Sequence, residues 1–382
     1  SASGGVGIFA NAQGSTTGAI AISSGGLTFN NTGGVAAATL GLSAGTLAGT
    51  AAVTVSGMAT WTGGTMTGTG QTVVNGSLLI GGATLKDITQ RTLVNAGTAT
   101  WAEGVNGRIR TGSGAVIQNT GLWQDQNTVD TRISNDFGGP ASSFVNSGSY
   151  VKSAGTNTTS IFIGFSNTGT VDVQGGALEL SGGGTSSGSF TGSAGSTLGF
   201  GGGHSLGAAS SVSGANVRFT GGTNTLAGSY VATQSTSFTG GGTSTLSGTV
   251  SGVGTALSAN AGLGIFANAQ GITTGAITIS AGVTSPITTT RLTSVAGISG
   301  AGTFTANSLA LVAGTGINAN TAATNLAAST TTSGITVSNT IAGTLNVTTV
   351  DATVTGINST GTAINLTETT GAVTLSQPVN AG

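Results

Sequence analysis

Cysteine is absent from this 382-residue sequence, so no disulfide holds the fold. That absence suits a secreted bacterial protein that does without cross-links of this kind, and equally a protein kept in a reducing cytosol. Charge is nearly as scarce. Asp, Glu, Lys and Arg together make up 4% of the residues, against roughly 25% in ordinary globular domains. With a formal net charge of -1, the chain has no electrostatic basis for gripping nucleic acid or an anionic membrane. No apolar run approaches the ~18 residues of a membrane span, so no membrane insertion is expected. No stretch of helix length keeps a 3.6-residue period between its glycine breaks, and little or no helix is expected. No secretory leader is visible, and none would be if the sequence starts inside a longer protein.

What is present is glycine, 71 residues of it, with abundant Ser, Thr and Asn. Such bias often marks a flexible linker. Disordered chains, however, pair low hydrophobicity with high net charge. This one is 37% apolar, has a mean hydropathy of +0.30 and carries only three prolines. It has material for a core and a surface wetted by hydroxyls, amides and backbone.

The apolar residues come in short alternating pairs, such as Val53/Val55, Val171/Val173, Leu178/Leu180 and Val217/Phe219. Alternation puts both members of a pair on one face of a strand. Gly, Asn and Ser cluster between the pairs and supply turns. The pattern recurs at a steady interval. Leu226 and Leu246 close the similar segments FTGGTNTLAG and FTGGGTSTLSG, one step apart, and Trp61 and Trp101 end MATW and TATW, two steps apart. Leu345/Val347 returns as Ile364/Leu366, and Val354 as Val373, after nearly the same interval. Such a step, with short strands between tight turns, predicts an all-β fold, a β-solenoid with about 20 residues per coil and variable insertions.

A longer repeat lies over the short one. Residues 7–20, GIFANAQGSTTGAI, reappear as residues 264–277, GIFANAQGITTGAI, with 13 of 14 positions identical at an offset of 257. The chain is therefore expected to begin near the start of one long unit and to stop partway through the next. No amphipathic capping helix is evident at either end, which suits coils that continue on both sides. Four segments follow from this reading: coils over 1–85, charge- and aromatic-enriched coils with insertions over 86–179, regular Gly/Ser/Thr-rich coils over 180–261, and coils opening a second copy over 262–382.

Asn-x-Gly triplets mark the corners at Asn31, Asn95, Asn119, Asn146 and Asn167. An apolar residue stands two positions before each Asn and another four positions after it. Asn and Gly both tolerate left-handed backbone, which lets the chain turn sharply. Stacked Asn amides can also bond from coil to coil as a ladder.

Charge concentrates between residues 86 and 179, which hold 13 of the 17 charged residues together with Trp101, Trp123 and Tyr150. Residues 102–142 also contain the longest break in the alternation. Two readings are open. In one, Trp101, Trp123 and Tyr150 are stacking surfaces for a glycan or a partner, with Arg108 and Arg110 as polar handles. In the other, which is favoured, wider coils hold the larger side chains and the charges pair on the surface. Carboxylates on successive coils could also form a carbohydrate-cleaving site, although no pairing is visible in sequence. The other signals are weak. His204 stands alone in a glycine loop. No metal-ligand spacing occurs, the glycine tracts lack the Asp of calcium-binding nonapeptides, and no phosphate loop is present. No catalytic, metal or cofactor site is expected.

The segments SNTGTVDVQGGALELSGGGTSSGSF (166–190), WTGGTMTGTGQTVVNGSLLIGG (61–82) and TAINLTETTGAVTLSQPVNAG (362–382) resemble the passenger repeats of filamentous-haemagglutinin-like and autotransporter-type bacterial surface exoproteins. The resemblance runs through most of the chain as a style of sequence. It implies a right-handed parallel β-helix, exported to the cell exterior or surface, with adhesion or matrix building as its role. The expected protein is structural and non-enzymatic, part of a large repetitive adhesin, stalk or filament. Its expected partners are neighbouring repeats or identical subunits, and cell-surface glycans.

Overall fold

Alternating apolar residues, punctuated by glycine every few positions, form short strands that cannot bury their faces alone and so stack on copies of themselves. The computed structural model of the protein describes residues 2–10, 15–153, 155–260, 263–266, 271–272, 276–279, 283–351, 353–361 and 363–382. Among them there is no helix. The fold is a parallel β-solenoid. Val35 pairs with Val53, Val53 with Thr72 and Thr72 with Leu93, each close to the interval that the sequence predicts. Trp61 stacks on Ile80 and Ile80 on Trp101, so the two tryptophans lie two coils apart as their spacing predicts.

The chain divides into two units, Ser1–Leu198 and Gly199–Gly382. The division falls within the segment that sequence assigns to regular coils. In the first unit a coil consists of three short strands. Lys86–Thr89, Thr92–Asn95 and Thr98–Glu103 make one coil, and Ile109–Gly112, Val116–Asn119 and Leu122–Asp125 stack on it strand for strand. Inward positions therefore form columns. One column runs Leu93, Ile117, Phe144, Phe165, and another runs Trp101, Asp125, Lys152, Val173.

The glycines of the Asn-x-Gly corners are required by crowding. Gly97, Gly121, Gly148 and Gly169 do not have left-handed backbone, contrary to the sequence expectation. A Cβ on Gly121 would instead lie 2.1 Å from the carbonyl oxygen of Gly97, and one on Gly148 would lie 2.1 Å from that of Gly121. Each coil rests its corner directly on the one before it, and only glycine leaves the room.

In the second unit the strands are longer. Ile298–Ala313 has 16 residues and pairs in parallel with Ile317–Thr330, which has 14. Leu226 stacks on Leu246, as their spacing predicts. The step expected near the C-terminal end is corrected: Leu345 stacks on Val373 and Ile335 on Ile364. A small antiparallel hairpin, Thr349–Asp351 with Val354–Thr355, lengthens that coil, so the matching apolar pairs of the sequence are not each other's neighbours.

The described residues of both copies of the long duplication are mostly strand. Ile8 pairs with Thr28, and Ile265 with Thr284. Residues 11–14, 267–270 and 273–275 of the two copies lie outside the described residues, as does the expected boundary at 262.

Candidate functional site

Most charged and aromatic residues on the strands between 86 and 179 fall into an inner and an outer set by their parity, Glu179 being buried at an outward position. Trp101, Trp123 and Tyr150 belong to the inner set and have no exposed surface. Trp101 and Trp123 meet edge to face at 6.1 Å, Trp123 and Phe144 at 5.1 Å, and Phe144 and Tyr150 at 5.8 Å. Phe144 and Phe165 stack at 5.2 Å. These rings form a continuous aromatic filling through four coils, so none of the three can serve as a stacking surface for a ligand. Larger side chains do fill these coils, as the structural reading has it.

That reading also puts the charges on the surface, and here the structure differs. Lys86, Glu103, Asp125 and Lys152 point inward and are buried. Lys86 Nζ donates to Glu103 Oε2 and to the carbonyls of Gly82 (3.0 Å) and Thr84 (2.7 Å). Trp101 Nε1 donates to Glu103 Oε1 at 2.9 Å. Burial pushes the Glu103 carboxyl upward, opposed by Lys86 and Trp101. The amide of Glu103 donates to Asn127 Oδ1 at 2.6 Å, and Asn127 Nδ2 donates to Asp125 Oδ1 at 2.6 Å. Tyr150 Oη donates to Asp125 Oδ2 at 3.0 Å, and Lys152 Nζ stands 3.8 Å from the same oxygen. A polar network thus runs through three coils inside the core. Alternation is the signal that finds it: Glu103 shares parity with Trp101, Asp125 with Trp123 and Lys152 with Tyr150.

Arg91 is buried as well, one residue after Gln90 takes a left-handed turn at φ 63°. Its guanidinium donates to the carbonyls of Gly49, Ala51, Thr67 and Gln71 and to Thr72 Oγ1, tying three coils together. Burial lowers its pKa to about 10.

The Asn ladder has four rungs. Asn95 Nδ2 donates to Asn119 Oδ1 at 2.7 Å, Asn119 to Asn146 at 2.7 Å and Asn146 to Asn167 at 2.8 Å. The second amide proton of each goes to a carbonyl: Leu122, Ser149 and Thr170 respectively. Asn31 stands apart. Its Nδ2 closes its own turn onto the Gly34 carbonyl at 2.6 Å, and among the described residues no second asparagine amide bonds to it.

The outer set builds the candidate site. Arg110 makes a two-pronged pair with Asp87 at 2.7 and 2.8 Å, and its guanidinium lies 5.0 Å from the Phe137 ring centre. Asp87 raises its pKa. Arg108 pairs with Asp136 at 3.0 Å. Arg108 also lines a groove of about 690 Å³ with Leu85, Val105, Asp130, Arg132 and Phe162. Val105 is 66% exposed and Phe162 50%. Asp130 is engaged, accepting from the Thr158 amide at 2.7 Å. Among the described residues the Arg132 side chain has no hydrogen-bond or ion-pair partner. The groove therefore offers one free cation beside two exposed apolar groups. Sequence reasoning misses Arg132 and Phe162, although their parity opposite the inward Ile133 and Ile161 marks both as outward.

Among the described residues no group of three or more His, Cys, Asp or Glu could hold a metal ion, and no helix is long and apolar enough to cross a membrane. No family model, curated protein or solved structure matches the chain.

Proposed function

We propose that this chain is a structural, non-enzymatic segment of a large repetitive extracellular or cell-surface protein of the filamentous-haemagglutinin or autotransporter type, serving as an adhesin stalk or filament. The observation that carries the reading is where the chain places its chemistry. Of its few charged and aromatic residues, the largest are enclosed between coils, where they brace the stack. Coil-on-coil hydrogen bonding gives stiffness along the stacking direction. A low-charge hydroxyl and amide exterior suits side-by-side or end-to-end assembly with identical subunits or further repeats. Electron microscopy of the native material tests this reading. Continuous filaments with a regular axial repeat are expected, together with a strong β spectrum and resistance to proteases. A random-coil spectrum, or turnover of a polysaccharide by the purified chain, would sink it.

The groove favours a second reading, carbohydrate binding. Arg132 flanked by Val105 and Phe162 matches an acidic sugar, with the carboxylate on the guanidinium and the ring's apolar face on the side chains. Arg132→Ala should abolish retention on an acidic polysaccharide and leave the β spectrum unchanged. Equal retention of the variant would remove the groove from consideration.

A further inference from the structure

We propose that Lys152 and Asp125 condense into an intramolecular amide that joins two consecutive coils, the new bond lying between Lys152 Nζ and Asp125 Cγ. The two residues hold the same register position on the neighbouring strands Leu122–Asp125 and Ser149–Lys152, and both side chains are fully enclosed. Lys152 Nζ is 3.8 Å from Asp125 Oδ2 and has no hydrogen-bond partner among the described residues. An ammonium in that position would be buried with its protons unsatisfied, which is strongly unfavourable. Burial accordingly lowers the pKa of Lys152. Reaching the free amine, with its lone pair available, is thereby made easier than on an exposed lysine. Lys86 is different: its protons are all taken by Gly82, Thr84 and Glu103.

The carboxyl partner is prepared in the same way. Tyr150 Oη donates to Asp125 Oδ2 at 3.0 Å, while Asn127 donates to Oδ1 from its side chain at 2.6 Å and from its backbone at 3.2 Å. Charge that develops on these oxygens as the amine adds to Cγ meets donors already in place. Burial holds the Tyr150 phenol in its protonated, donating form. The step balances without an outside reagent. A proton passes from the lysine ammonium to the carboxylate, giving amine and carboxylic acid. Nitrogen attacks Cγ, the C–N bond forms, and the Cγ–OH bond breaks. The hydroxyl leaves as water with a proton from nitrogen. The reactants are held together by the fold, which removes the entropic cost of bringing them together.

The bond would sit where the stack most needs it. Residues 125 and 152 bracket a coil in which the segments 126–130 and 135–142 leave the strand pairing. Its ladder step, from Asn119 to Asn146, spans 27 residues against 24 and 21 for its neighbours.

Intact-mass measurement of the folded, full chain under denaturing conditions, followed by digestion and fragmentation, tests this. The expected mass is one water below the sequence mass, with one branched peptide joining the Asp125 and Lys152 segments, and Lys152→Met should restore the sequence mass. An unaltered mass for folded protein after prolonged incubation overturns the proposal. So does a water loss traced to any other position, the Lys86–Glu103 pair included.

Discussion

The coils between Lys86 and Leu180 and the coils built on Ile298–Ala313 and Ile317–Thr330 close the same kind of ring with different materials. The first group fills its interior with Trp, Phe, Tyr, an Asn ladder and buried ion pairs, and its strand pairings run from Lys86 to Leu180 without a register shift. The second is filled mainly by aliphatic groups, Leu309, Leu311, Ile317 and Leu326 among them, with a cluster of small ones at Ala310, Ala327, Val350 and Val354. Its long strands slip in register between Ser285 and Thr289 and again between Gly300 and Thr303. The physical lesson concerns specification. A buried amide or carboxylate that loses its partner is heavily penalised, so it pins one alignment. An aliphatic interior makes no such partner-specific demand, so a local slip in register costs less there.

The largest effect that would test this contrast is expected at Glu103. Glu103→Gln keeps an acceptor for Trp101 but leaves the Lys86 ammonium buried without a counter-charge, a loss of roughly 3 kcal/mol in the first unit. Chemical denaturation should detect it, and adding Lys86→Met should recover most of it. A silent single variant would mean that the buried pair does not constrain these coils. Next comes Asn119→Ala, which removes the acceptor of Asn95 and the donor to Asn146 and to the Ser149 carbonyl, costing about 2–4 kcal/mol in all. Hydrogen exchange should quicken in the first unit and stay unchanged at Ile298–Ala313.

Alkaline titration compares the units directly, because the chain has two tyrosines, Tyr150 in one and Tyr230 in the other. Burial raises both phenols above their ordinary value of 10.0. Above that pH the unfolded chain releases protons that the folded chain retains, so stability is full below about pH 10 and falls as pH rises, by about 1.4 kcal/mol per pH unit for each tyrosine. Tyrosinate absorbance should therefore appear only with unfolding. Tyr230→Phe leaves a reporter on the first unit and Tyr150→Phe one on the second, and the more weakly specified second unit should ionise first. Ionisation in a fully folded chain would contradict the burial of these rings.

The smallest effect has the opposite sign. Asn95 Oδ1, at the start of the ladder, has no hydrogen-bond partner among the described residues, and Val74 occupies the rung position before it. Val74→Thr supplies a hydroxyl of nearly the same shape and should stabilise the first unit by about 1 kcal/mol. A destabilised variant would show that the ladder cannot be extended toward that end.

Much of this is legible in the sequence. The solenoid, the length of its step and the Trp61–Trp101 spacing follow from alternation and glycine punctuation, since a strand with one apolar face must find a covering neighbour. The ladder at Asn95, Asn119, Asn146 and Asn167 is legible from the triplets, and Asn31 shows the limit of that signal, because the same triplet there closes its own turn onto Gly34. Lys86, Glu103, Asp125 and Lys152 are misread when charge is weighed above parity. The pairing of Leu345 with Val373 is misread because a hairpin insertion makes two similar apolar pairs look like successive coils.

The sequence alone determined that the chain stacks on itself: its alternating short strands offer nothing else to bury their apolar faces against, and its corner glycines admit the neighbouring carbonyl. Only the tertiary structure decided what each column contains. Whether a lysine meets a carboxylate, an aromatic ring or open water depends on the length of every intervening turn. Turn lengths vary without penalty on the outside of the coil, and they fix the partner on the inside.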